Sequence, residues 1–266
     1  AKTLQKTPQK RGLADEFLNL YHKFLHCFMI GGKRQSIAMA HKHTVKAGEA
    51  RIIAFSDHPI KFSFRLFCRI ISHLDCKAVK CIEVIAGVDL DKEAKETYEY
   101  NNPGTVFIET DIRNLRSNYF ERKFDVHPYD DELILVGCSP CQFYSIINTD
   151  KNESIKTKDL LRNFARFVEY YRPGYVLVEN VPGIITNKKS IWPYFKKKLE
   201  VLGYTKLVYE IIDMSYYGVP QSRRRFSLIA TRLDDVEVKL PKRDEKQMLL
   251  SDCLGVENGF PKITAG

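Results

Sequence analysis

Apolar strand patterns alternate with helical stretches of roughly ten to fifteen residues from about residue 62 onward, and this constrains the fold most. Glu83–Leu90 (EVIAGVDL) reads as a buried strand ending in acid, and 91–100 as a helix with Asp91 as its N-cap. A short strand spans 105–109 and leads to Asp111. The apolar run 133–136 reads as a strand entering Gly137-Cys138-Ser139-Pro140-Cys141. Residues 158–171 form an amphipathic helix stopped at Pro173-Gly174, and 175–178 a strand ending at Glu179-Asn180. A helix over 190–202 closes at Gly203, and strands follow at 207–212 and 226–230.

This alternation predicts an open α/β sheet, mostly parallel, with right-handed crossovers and flanking helices. Such sheets bind ligands outside the carboxyl ends of their strands. Asp89, Asp111, Cys141 and Glu179 all stand at or just past predicted strand ends. The topology therefore gathers them on one edge, where an active site is expected.

The first sixty residues show no such order. A helix over 16–29 fits the spacing of Phe17, Leu20, Phe24, Leu25 and Phe28, but no motif accompanies it. Residues 1–51 hold ten Lys/Arg against three Asp/Glu, so +7 of the net +9 lies there. A basic segment of this kind suits a polyanion such as DNA, or is simply a solvated tail. No apolar run of eighteen residues exists, so no membrane partner is expected. Seven scattered cysteines suggest a reducing cytoplasm rather than a disulfide framework.

Three segments carry possible chemistry. Cys141 follows an apolar strand on a loop opened by Gly137 and Pro140, a placement that suits a thiolate nucleophile. A small buried hydrophobe is the plainer reading, and Cys138 with Cys141 also forms a CxxC, although no second ligand pair supports a metal site. Glu179 ends the apolar strand VLVEN, where desolvation would raise its pKa and suit it to proton donation; a strand-end cap is the alternative. In Gln221-Ser222-Arg223-Arg224-Arg225, an extended chain puts Arg223 and Arg225 on one face, either to orient an anion or as a solvated edge.

In this order the motifs GCSPCQxxS (137–145), RPGYVLVENVPG (172–183) and YGVPQSRRRFSLIA (217–230) resemble the cytosine-5 DNA methyltransferases, and most the bacterial restriction–modification members. The resemblance runs from about Phe64 to Arg232. It implies a Rossmann-like, class I S-adenosylmethionine-dependent methyltransferase fold. It implies double-stranded DNA as partner, with the target cytosine flipped into the pocket. Cys141 would then add to C6 of the base. Glu179 would hold N3 and the exocyclic amine, Asn180 would support the loop, and Arg223 with Arg225 would orient the base carbonyl, Glu179 or a phosphate. On the cofactor side the resemblance assigns Asp89 to the ribose, Leu90 to the adenine face, Asp111 and Ile112 to the adenine amine and ring, and Pro140 to the pocket wall.

The family's glycine-rich cofactor turn maps onto Phe67-Cys68-Arg69-Ile70-Ile71-Ser72, with Phe67 twenty-two residues before Asp89. No glycine stands there, and Arg69 and Ile71 would fill the space that glycine leaves for the cofactor. The expected organisation is a basic segment over 1–60, a catalytic domain over 61–240, and the start of a linker over 241–266 to a target-recognition domain beyond this chain. One alternative is an inactive fragment binding DNA weakly. Another is one subunit of a split enzyme, with a second chain carrying the recognition domain.

Overall fold

The computed structural model describes residues 50–56, 82–102, 104–138 and 160–254. The helix expected over 16–29 and the turn at Phe67–Ser72 lie outside them, as do Pro140 and Cys141.

Seven strands form one sheet: β1 (Ala50–Ser56), β2 (Ile82–Asp89), β3 (Val106–Glu109), β4 (Leu133–Cys138), β5 (Tyr175–Asn180), β6 (Lys206–Asp213) and β7 (Arg224–Thr231). Their spatial order is β3-β2-β1-β4-β5-β7-β6. The pairs among β3, β2, β1, β4 and β5 are parallel, whereas β7 runs antiparallel to both β5 and β6. The expected mostly parallel, Rossmann-like sheet is therefore present, with one reversed strand between β5 and β6.

The helices are α1 (Ala94–Asn101), α2 (Tyr119–Phe124), α3 (Leu160–Tyr171), α4 (Gly183–Thr186) and α5 (Trp192–Val201). Strand alternation sends side chains to two core layers. Ile53, Phe55, Leu133, Leu135, Val176, Val178, Phe226 and Leu228 share one layer with Phe164, Phe167 and Tyr171 of α3 and Phe195 of α5. Ala54, Ile134, Val136, Tyr175, Leu177 and Ile229 share the other with Ala94 and Tyr98 of α1. On the β5–β7–β6 part of that second layer, Leu233, Val236 and Val238, on a strap that follows β7, pack beside Met214, Tyr217 and Val219.

Two closely packed glycines fix how these layers meet. In β4, a Cβ on Gly137 would lie 2.8 Å from the Phe164 ring, so glycine lets α3 settle against the sheet. At the start of β5, a Cβ on Gly174 would lie 1.9 Å from the Asp131 carbonyl oxygen. Gly174 donates its N–H to the Asp130 carbonyl (2.9 Å), and its own carbonyl accepts from Thr231 Oγ1 (2.7 Å). Arg232 ties the same corner, donating to the Arg172 and Tyr129 carbonyls and pairing with Asp131 at 2.6 Å.

Three placements differ from the sequence reading. Strand β1, at the centre of the sheet, comes from residues before 61, so the fold takes in part of the stretch set aside as a basic segment. The chain after 241, expected as the start of a linker, is in part tied to the residues just past β6. Asp244 N–H donates to the Tyr216 carbonyl, Met248 N–H to the Ser215 carbonyl, and the Arg243 guanidinium lies 3.5 Å from the Tyr216 ring centroid. Asp91 is not the helix N-cap: α1 begins at Ala94, and the Asp91 carboxylate accepts from Glu93 N–H (3.0 Å) in the turn before it. A short polar side chain satisfies the nearest amide donor, and that donor precedes the helix here.

Candidate active site

The edge carrying the site follows from strand direction. β2, β3, β4 and β5 are parallel, so Asp89, Glu109, Cys138 and Asn180 end on one side of the sheet. β7 is antiparallel to β5 and starts on that same side, with Glu179 opposite Ser227 and Asn180 opposite Phe226. Arg225, the residue before Phe226, is thereby delivered to the end of β5.

There it meets Glu179. Arg225 Nε stands 2.9 Å from Glu179 Oε1, and the Cys138 thiol donates to Oε2 at 3.3 Å. The Glu179 side chain is 7% exposed and that of Arg225 16%. Burial pushes the Glu179 carboxyl above the ordinary carboxylate range. This outweighs the opposing pulls of Arg225, of the Cys138 hydrogen bond and of the Arg223 charge. Arg224 is exposed. The alternation expected for this tripeptide thus holds, and Arg225 rather than Arg223 makes the direct contact. Asn180 is buried, and its Oδ1 accepts the Val181 N–H at 2.9 Å, fixing the turn into α4.

The β2–β3 side holds a second group of residues. Asp89 is buried, and its Oδ1 accepts the Asp91 N–H at 2.9 Å. Leu90 beside it is 47% exposed, an open apolar surface at a strand end. A carboxylate there could hold ribose hydroxyls, and the branched apolar side chain beside it could pack against a base. The Asp111–Ile112 pair is placed differently. Arg113 Nε donates to both Asp111 oxygens at 2.9 and 2.7 Å, and the Arg113 hydrogen bond holds this carboxyl below its usual range. Ile112 is packed within the first core layer. The turn carrying both is pinned by Arg166, which donates to the Ile112 and Leu115 carbonyls. A charged neighbour two residues on is visible in the sequence, yet its capture of Asp111 is not, because it depends on the turn that Asp111 itself caps.

The described residues hold no cluster of three or more His, Cys, Asp or Glu able to bind a metal ion. None of the helices described is long and apolar enough to cross a membrane. Sequence reasoning missed the contact of Cys138 with Glu179: the two lie forty-one residues apart, and the pairing of β4 with β5 brings them together.

Residues 70–255 match the family described as C-5 cytosine-specific DNA methylase. The chain is 32% identical over 174 residues to the type II methylase M.HgiDII of Herpetosiphon aurantiacus, covering 65% of this chain and 48% of that protein. It is 33% identical over 177 residues to the type II methyltransferase M.HindV of Haemophilus influenzae, covering 65% and 55%. The chain thus spans about half the length of these relatives. In fold it is similar to the Entamoeba histolytica methyltransferase EhMeth, with a TM-score of 0.53 at 19% identity, over 78% of this chain and 60% of that one.

Proposed function

Because the chain belongs to the C-5 cytosine-specific DNA methylase family, we propose that it serves methyl transfer from S-adenosylmethionine to C5 of cytosine in double-stranded DNA, within a restriction–modification system. The observation that carries this reading is the buried Glu179 carboxyl, held by Arg225 at the end of β5 beside the strand that leads to Cys141.

Cytosine C5 is a poor nucleophile, and the residues on this edge suit the remedy. A carboxyl whose pKa is raised by burial keeps its proton at higher pH than a solvated one and can share it with ring N3. That proton draws electron density from C6, where the Cys141 thiolate would add. The bond from sulfur to C6 leaves C5 electron-rich. S-adenosylmethionine, when bound, supplies the electrophilic methyl group. Loss of the C5 proton to a base then expels the Cys141 thiolate, and return of the N3 proton to Glu179 restores the neutral ring. Arg225 keeps the Glu179 carboxyl oriented, and Asn180 fixes the turn beyond it. Asp89 and Leu90 would hold the ribose and adenine of the cofactor. Arg113 competes for Asp111, so contact between this acid and the adenine amine requires Arg113 to move aside.

The test is transfer of labelled methyl from S-adenosylmethionine to duplex DNA, by the chain alone and with any second chain carrying a recognition domain. Cys141→Ser is expected to abolish transfer while leaving the thermal melt in place. Undiminished transfer in that variant would overturn the proposed nucleophile.

A further inference from the structure

Glu179 is gripped from two strands, and only one of the two contacts comes from a group with a fixed charge. Arg225 on β7 faces Oε1, and Cys138 at the end of β4 faces Oε2. Arg223, just before β7, adds its charge. A guanidinium can only donate, so it favours the ionised carboxylate. A thiol is a weak donor and a weak acceptor. It can donate to the carboxylate, and its sulfur can accept once the carboxyl is protonated.

We propose that Cys138 is a positioning residue for Glu179, holding the second carboxyl oxygen in place, more firmly when the acid is ionised and more weakly once it is protonated. The catalytic use of this contact rests on the function proposed above; the contact itself does not. Glu179 has to change protonation in that chemistry, and a partner that can only donate would resist the change. A hydroxyl in place of the thiol is a stronger donor and would bind the carboxylate more firmly. A methyl group would leave Oε2 without this partner in the ionised state, which costs free energy in a buried setting.

The experiment is a carboxyl ¹³C NMR titration of the full chain labelled at glutamate, with Glu179→Gln used to assign the Glu179 resonance. It compares wild type, Cys138→Ala and Cys138→Ser. Glu179 is expected to titrate at higher pH in Cys138→Ala and at lower pH in Cys138→Ser than in wild type. The pH profile of methyl transfer should move in the same two directions. If Cys138→Ala does not fold, the serine variant decides the matter alone through its downward shift. A Glu179 titration unmoved in the folded variants overturns the proposal. Opposite shifts sustain it whether or not the preparation transfers methyl groups. A folded wild-type protein that shows these shifts and transfers nothing, even with a recognition-domain chain, counts against the proposed function and leaves the positioning role standing.

Discussion

Glu179 combines near-complete burial with an arginine partner, and burial prevails in setting its proton affinity. The sign of its contribution to stability follows. The folded chain holds the Glu179 proton more tightly than the unfolded chain, whose value is near the ordinary 4.5. Stability from this group is fully present below that value and is lost as pH rises through the folded one. Denaturant melts of wild type and Glu179→Gln between pH 4 and pH 8 should show wild type losing stability relative to the variant as pH rises. Parallel curves would contradict the raised affinity. At neutral pH the same substitution should slow methyl transfer by about 100-fold or more, the range expected on losing a general acid. Much of this was legible beforehand, since a carboxylate closing the run VLVEN has nowhere to go but a strand end. Arg225 as the direct partner was half legible: extended geometry put Arg223 and Arg225 on one face, but which of them reaches the acid depends on the register of β7 against β5. The Cys138 contact was not legible, because nothing local joins residues so far apart in sequence.

At the level of elements, the strands from β2 onward and helices α3 and α5 follow the hydrophobic pattern closely; β4 and β5 are almost wholly buried runs, and α3 and α5 each bury an apolar face. Strand β1 escaped notice. ARIIAFS shows no period on which to separate strand from helix, and the turn residues around it, Gly48 before and Asp57 and Pro59 after, bound an apolar run without saying which it is. The direction of β7 was also beyond the pattern, which records burial and not orientation. The corner where α3 hands over to β5 makes a prediction of its own. Any side chain at Gly174 must displace the Asp131 backbone, which is flanked by the Gly174 N–H bond to the Asp130 carbonyl and the Arg232 bond to the Asp131 carboxylate. Gly174→Ala should therefore lower stability by about 3 kcal/mol, measured by urea denaturation. A loss well under ~1 kcal/mol would mean that the corner yields more easily than its bonding suggests.

For the whole molecule, cofactor binding on the β2–β3 side has to contend with the Arg113–Asp111 pairing and with Arg69 and Ile71 where the family resemblance calls for glycines. Calorimetric titration with S-adenosylmethionine is expected to give micromolar binding, about −8 kcal/mol. Asp89→Asn, which keeps an acceptor for the Asp91 N–H but removes the charge, should weaken it by roughly 10-fold. A folded protein with no binding up to millimolar cofactor would favour the inactive-fragment reading. The same architecture bears on engineering. From Thr231, at the far side of the sheet, the strap carries the chain back to Ser215 and Tyr216, just past the end of β6. Residues 249–254 therefore set out from the same rim as Glu179. A sequence-reading module grafted after them would be moored beside the rim that carries Glu179, and a long spacer would add only slack.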